Sequence, residues 1–375
     1  MLPNKINPLG ISKDLGPDIF QWKLSITDAP QTFTAYINGI KHSIDWGDGT
    51  SFEGSDYSAS HEYTENGIYI VSLTNTSGKA NTKFRIFGNT PNLVIDCNYK
   101  WNSLGNVEFI QFIYGNSPSY NGRTCTKLPE TLTTMETCFG YPSNIPCFIS
   151  KIPDGVTNLT TCGNVNTKAI YNIKKLPANI TSLYRCFRLI SSKSNIDIGK
   201  IVENAPENGF QQLTNIVGFC NCNTSDNYVK NGTVAKFMNK CPNATSIKTS
   251  NGLESPFYGC TALQLFGDDD HYECTVNIPE DNFTWGFTPI SKQNSGTWYL
   301  IQWGDSTDVS PTSPYKTNYA IFNFTSETKI EHIYAKAGTY TIKLCTNVSE
   351  IIFDSIISDN QQYQFLGNPI ISFNN

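Results

Sequence analysis

From Phe20 onward, apolar and polar residues alternate over short stretches, the period-two pattern of half-buried strands. Phe20-Gln21-Trp22-Lys23-Leu24-Ser25-Ile26, Phe33-Thr34-Ala35-Tyr36-Ile37 and Gly67-Ile68-Tyr69-Ile70-Val71-Ser72-Leu73 predict strands, and His42-Ser43-Ile44 runs into the turn Asp45-Trp46-Gly47-Asp48-Gly49-Thr50. The middle of the chain is different. Lys127-Leu128-Pro129, Lys151-Ile152-Pro153 and Lys175-Leu176-Pro177 return with a period of 24 residues, and Cys138, Cys162 and Cys186 each follow their proline by nine. Between proline and cysteine stand Leu132-Thr133-Thr134-Met135, Val156-Thr157-Asn158-Leu159 and Ile180-Thr181-Ser182-Leu183. Apolar positions at constant offsets in a fixed period predict the coils of a solenoid, which must stack because none buries its apolar side alone. Proline, with no amide hydrogen, suits the start of a coil. The aliphatic and cysteine side chains are expected to point inward, one above another at about 4.8 Å.

Two resemblances organise the rest. The turn Trp46-Gly47-Asp48-Gly49-Thr50, followed by His61-Glu62-Tyr63 and by Gly67-Ile68-Tyr69, resembles the PKD (polycystic kidney disease) domain, an immunoglobulin-like β-sandwich. A second copy reads Gln302-Trp303-Gly304-Asp305-Ser306-Thr307, His332-Ile333-Tyr334 and Gly338-Thr339-Tyr340, with Gln302 in place of Asp45 and Ser306 in place of Gly49. In both copies the histidine precedes the second tyrosine by eight residues. The repeats, with the phrase Phe257-Tyr258-Gly259-Cys260-Thr261-Ala262-Leu263, resemble the type-5 leucine-rich repeats of bacterial surface proteins, a family in which PKD-like modules also occur. The first turn of this solenoid is expected around Trp101–Val107. Pro206 and Cys220 are fourteen residues apart, which predicts an insertion in the fourth coil. The expected architecture is mainly β, with two immunoglobulin-like (PKD-like) sandwiches at the ends of a central leucine-rich-repeat solenoid. Residues 1–19 form an N-terminal arm, 20–90 the first sandwich, 91–272 the solenoid, and 273–375 the second sandwich with C-terminal strands.

Composition narrows the function. A chain of 375 residues suits two or three domains. The net charge is -5, 16% of residues are charged, and no Lys/Arg block occurs, so nucleic acid is not an expected partner. The N-terminus has no apolar run after a basic start, so no secretory signal is expected. No run of about 18 apolar residues predicts membrane insertion. The arm is polar, and its ordering would need a partner. The twelve cysteines are expected to be reduced thiols in a chain that is not exported. Cys220-Asn221-Cys222 is too tightly spaced for ordinary zinc ligation, and no second CxxC pair completes a site.

The candidate chemistry is sparse. His61 and His332 occupy matching places, so a shared structural hydrogen bond to the aspartate of each turn is expected, not catalysis. Asp268-Asp269-Asp270, ahead of His271, reads as a solvated acidic loop without EF-hand spacing. Calcium at that run, or at Asp45 and Asp48, stays open. No G-x-S-x-G, P-loop or H-E-x-x-H motif occurs, and no catalytic, cofactor or metal-binding residue is assigned. Three readings of function follow. The first is a non-enzymatic bacteriophage virion component (head fibre, capsid decoration or tail-associated protein), a homo-oligomer assembled with other virion proteins in the host cytoplasm that binds a host-surface protein or glycan. The second is a bacterial cell-surface adhesin. The third is a glycan-acting enzyme, whose acidic pair would carry no local signature.

Overall fold

The computed structural model describes residues 19–37, 41–55, 58–76, 83–88, 93–100, 109–114, 128, 132–136, 138–139, 148–165, 169–222, 228–247, 256–260, 262–287, 298–305, 330–346 and 364–365. The expected N-terminal arm up to Asp18, the stretch Trp101–Val107, Lys127 and Pro129 of the first repeat, Thr261, Ser306 and Thr307 lie outside them. The described residues are mainly β, with two short helices. They fall into two compact units, divided within the third repeat: residues up to Pro177 with Arg185–Ile196, and Ala178–Tyr184 with residues from Asp197 onward.

The first unit opens with nine strands: β1 (Ile19–Ile26), β2 (Gln31–Ile37), β3 (His42–Asp45), β4 (Ser51–Gly54), β5 (Ser58–Tyr63), β6 (Gly67–Asn75), β7 (Lys83–Gly88), β8 (Leu93–Lys100) and β9 (Phe109–Tyr114). They form two sheets, ordered β4-β3-β6-β1-β8 and β5-β2-β7-β9. Leu24, Ile44, Val71 and Leu73 from one sheet and Phe33, Ala35, Ala59 and Tyr63 from the other are buried. The predicted alternation is therefore the core of a two-layered body. Its extent differs from the sequence expectation. β8 pairs with β1 and β9 with β7, so the body runs past residue 90 to Tyr114, because its sheets take their outer strands from chain that shows no repeat.

Coils follow. β10 (Phe148–Ile149), β11 (Ile170–Ile173) and β12 (Asn195–Asp197) pair in parallel. Cys138, Cys162 and Cys186 are fully buried thiols, as the inward orientation required. In the four-residue pieces the first and fourth side chains are buried, and the backbone of the second and third bonds to the neighbouring coil. Thr157 N–H donates to Thr133 O at 2.8 Å, and Met135 N–H to Asn158 O at 2.8 Å. The third side chain turns the chain inward: Thr134 Oγ1 accepts from Glu136 N at 3.3 Å and Asn158 Oδ1 from Thr160 N at 2.9 Å. Such side-chain turns are why Thr, Asn or Ser stands there.

The second unit continues the pattern beyond the three recognised copies. Leu213-Thr214-Asn215-Ile216 and Ala244-Thr245-Ser246-Ile247 are further pieces, with Thr214 N–H on Thr181 O at 3.0 Å and Thr245 N–H on Thr214 O at 2.9 Å. Their starts follow Ile180 by 33 and 31-residue steps. The added length is a short helix in each coil, α1 (Ile198–Glu203) and, after β13 (Val229–Lys230), α2 (Val234–Asn239). Asp197 caps α1 through Lys200 N, and Thr233 caps α2 through Lys236 N. The fourth-coil expectation is corrected in register. Counting from Leu213, the proline position is Phe210 and the cysteine position is Phe219, whose N–H donates to Ile216 O as Cys162 N–H does to Leu159 O. The insertion lies ahead of the repeated piece and not between Pro206 and Cys220.

The unit ends with β14 (Tyr272–Ile278), β15 (Phe283–Phe287), β16 (Tyr299–Gln302), β17 (Ile330–Tyr334), β18 (Gly338–Thr346) and β19 (Gln364–Phe365). One sheet has the order β16-β18-β14-β19, and the other pairs β15 with β17. Trp298 Nε1 donates to Cys241 O at 3.3 Å and Cys345 Sγ to Asn239 Oδ1 at 3.1 Å. This body is thus bonded to the end of α2.

Where the position is described, the residue just before the cysteine position takes a left-handed step: Thr161 (φ 53°), Arg185 (φ 49°) and, in the longer fourth coil, Gly218 (φ 63°). A side chain there is strained, and a β-branched one most of all; the buried Thr161 Oγ1 also lacks a hydrogen-bond partner. Thr161→Gly is therefore expected to leave stability unchanged or to raise it by up to about 1 kcal/mol, and Gly218→Thr to lower it by about 1–2 kcal/mol. Denaturant unfolding of both variants checks the opposite signs.

Candidate functional site

The strongest candidate constellation is the duplicated turn, because it gathers an aspartate, a histidine and aromatic rings twice. In the first unit the turn between β3 and β4 lies in one sheet and β5 in the other. Gly47 N–H donates to Asp45 Oδ1 at 2.9 Å, and Asp48 Oδ1 accepts from Thr50 N at 2.9 Å and Thr50 Oγ1 at 2.6 Å. The other oxygen, Asp48 Oδ2, is 2.6 Å from His61 Nε2. His61 stacks on Trp46 with centroids 5.1 Å apart and planes 14° from parallel, and meets Tyr63 edge-on. Tyr63 OH donates to Trp46 O at 2.8 Å, and Tyr69 OH to Glu65 O at 2.8 Å.

The second unit repeats the histidine, tryptophan and tyrosine contacts. His332 Nε2 is 2.8 Å from Asp305 Oδ2, and its ring stacks on Trp303 at 5.1 Å and 9°. Tyr334 OH donates to Trp303 O at 2.9 Å, and Tyr340 OH to Lys336 O at 2.8 Å. Each turn also needs a glycine. Gly47 (φ 80°) and Gly304 (φ 81°) lie so close to the backbone of Ile70 and of Thr341 that a Cβ would overlap a carbonyl oxygen. The structural hydrogen bond expected of His61 and His332 is what the geometry holds. In each unit it pins one sheet to the other.

The pins differ in exposure and support. The Asp48 side chain is 24% exposed and that of Asp305 only 8%. Burial raises the Asp48 pKa, but the bonds from Thr50 and His61 outweigh it and hold the carboxyl below its ordinary value. Tyr63 is pushed far upward by burial, and next by the Asp48 charge, so it stays a neutral donor.

The acidic run is divided among separate tasks. Asp268 is exposed, Asp269 pairs with Lys236 at 2.8 Å, and Asp270 is buried. Asp270 Oδ1 accepts from Gly267 N at 2.7 Å, and Oδ2 accepts from the hydroxyl of Thr233, the cap of α2. His271 Nε2 is 3.0 Å from Glu273 Oε1. The solvated-loop expectation is corrected at Asp270, which lies beneath the loop because Thr233 and Gly267 supply donors there. Sequence reasoning missed this residue, whose only sign was its place in an acidic run. Among the described residues no group of three or more His, Cys, Asp or Glu side chains is placed to hold a metal ion, and no described helix is long and apolar enough to cross a membrane.

Comparison with known protein families, with characterised proteins and with solved structures returns no match for this chain.

Two predictions test the pins. His332→Phe keeps a ring on Trp303 but leaves Asp305 without its histidine, so it is expected to cost about 2–3 kcal/mol. His61→Phe, where Thr50 still serves Asp48, should cost about 1 kcal/mol. Thermal unfolding of the two variants checks the order. Because the Asp48 carboxyl is depressed in the folded state, its contribution is complete above its unfolded value near 3.8 and is lost as pH falls through the lower folded value. Asp48→Asn is expected to be less stable than wild type at pH 7, with the difference shrinking below about pH 4; melting curves over that range measure it.

Proposed function

We propose that this chain is a non-enzymatic structural and adhesion protein. In this reading PKD-like, immunoglobulin-like sandwiches precede and follow leucine-rich-repeat coils in the sequence, the sandwiches dock and the coils present a surface. One observation carries the reading: among the described residues, the histidine–aspartate pair of each turn and the buried aspartate of the acidic run are engaged in holding the fold. The two histidines and their aspartates join sheet to sheet, and buried Asp270 holds the cap of α2. The coils expose polar groups at a repeated place, Thr133 in the first unit and Thr181, Thr214 and Thr245 in the second being exposed at the second position of their pieces. Hydroxyl and amide groups repeated at strand spacing suit a protein or glycan ligand.

The setting proposed is a bacteriophage particle, as a head fibre, capsid decoration or tail-associated protein. Many copies on one particle raise avidity without a deep pocket in each. The resemblance of the coils to bacterial surface repeats supports a cell-surface adhesin as the second reading. Mass spectrometry of density-purified particles from an infected culture tests the choice. Recovery in fixed ratio to the capsid protein is expected, and recovery only in the cell-envelope fraction of uninfected bacteria would reject the virion reading in favour of the adhesin.

A further inference from the structure

Three cysteines of the second unit converge where the end of the fourth coil meets the segment Pro256–Cys260. Cys220 N–H donates to Pro256 O at 2.7 Å and Cys222 N–H to Tyr258 O at 2.8 Å, so the two backbones run side by side. Cys222 Sγ and Cys260 Sγ are 3.2 Å apart, closer than two sulfurs rest in ordinary contact and about 1.2 Å from the bonding distance. Cys260 Sγ is also 3.0 Å from Cys220 O, which fixes its rotamer toward the pair. Both side chains are 1% exposed.

We infer that Cys222 and Cys260 are a cross-linking pair, which closes to a disulfide when the chain folds in the presence of a small disulfide oxidant. The balance is that of two exchange steps. One thiolate attacks the oxidant and displaces its first thiolate; the second cysteine then attacks the mixed disulfide and displaces the other. Two protons leave the protein, and the oxidant is reduced to two thiols. Burial, and next the neighbouring sulfurs, raises the pKa of Cys260 well above the ordinary value. The bond therefore forms while this part of the unit assembles or opens, and once formed it is shielded from reductants. The sequence expectation of reduced thiols holds for a reducing compartment. In an oxidising one, this pair is the exception among the buried cysteines that the structure describes.

The test uses the full chain, refolded from denaturant in a glutathione redox buffer, alkylated in denaturant and digested without reduction. The expected product is a peptide pair joining Cys222 to Cys260, lighter by two hydrogens, with Cys138, Cys162, Cys186 and Cys241 alkylated. It should persist in Cys220→Ala and vanish in Cys222→Ala. Melting adds a second readout: the oxidised midpoint should exceed the reduced one in wild type and in Cys220→Ala, and the two should coincide in Cys222→Ala. Alkylation of Cys222 and Cys260 to the same extent as the other cysteines, in refolded chain that has regained its reduced-state midpoint, overturns the inference. So does a bond from Cys260 to Cys220.

Discussion

A coil of this chain cannot satisfy its own backbone. Each four-residue piece extends two peptide groups sideways, and their partners belong to the neighbouring coil, as Thr157 on Thr133 and Thr214 on Thr181 illustrate. A buried amide without a partner costs about 1–3 kcal/mol, so within each unit a coil depends on its neighbour, and the last coil of the second unit on something that is not a coil. In the second unit that closure is visible. Val234 N–H and Ala235 N–H donate to Gln264 O and Leu265 O, Asp270 takes the Thr233 hydroxyl, and the Trp298 indole donates to Cys241 O. The apolar side is closed as well, by the contacting rings of Phe219, Phe237 and Phe257.

The two-layered bodies meet the opposite problem. Their strands are satisfied within each sheet, and what remains undetermined is how one sheet sits on the other, since apolar burial has no direction of its own. The paired histidine, aspartate and tyrosine supply that direction. Tyr63 and Tyr334 reach a tryptophan carbonyl across the layers, and His61 and His332 lay their rings flat on the same tryptophans. Two copies that differ at Asp45/Gln302 keep this arrangement, so the pin does not depend on the aspartate that opens the first turn.

Where a residue type served a single backbone requirement, the sequence was legible. Gly47, Trp46, Asp48 and His61 announced the pin because each has one geometric role, and Cys162 announced an inward position because a small apolar side chain fits there. Legibility failed where different side chains met the same requirement. Phe219 stands where earlier coils place cysteine, and Phe210 where they place proline; the Phe219 ring stacks on Phe237 of α2 and meets Phe257, partners that the three earlier copies lack in sequence. Asp270 was hidden for another reason: three adjacent carboxylates look alike in sequence, and only the fold decides which one goes under the loop. The strands after residue 90 carry no repeat and no turn signature, and it is pairing with β1 and β7 that makes them part of the first body.

The helices α1 and α2 lengthen their coils while leaving the bonded four-residue piece unchanged. Stacking thus constrains a few residues per coil and leaves the remaining circumference open to change. A lineage under pressure to recognise new surfaces could diversify that circumference without losing the stack, and the same latitude makes the outer arcs of the coils natural acceptors for grafted recognition loops.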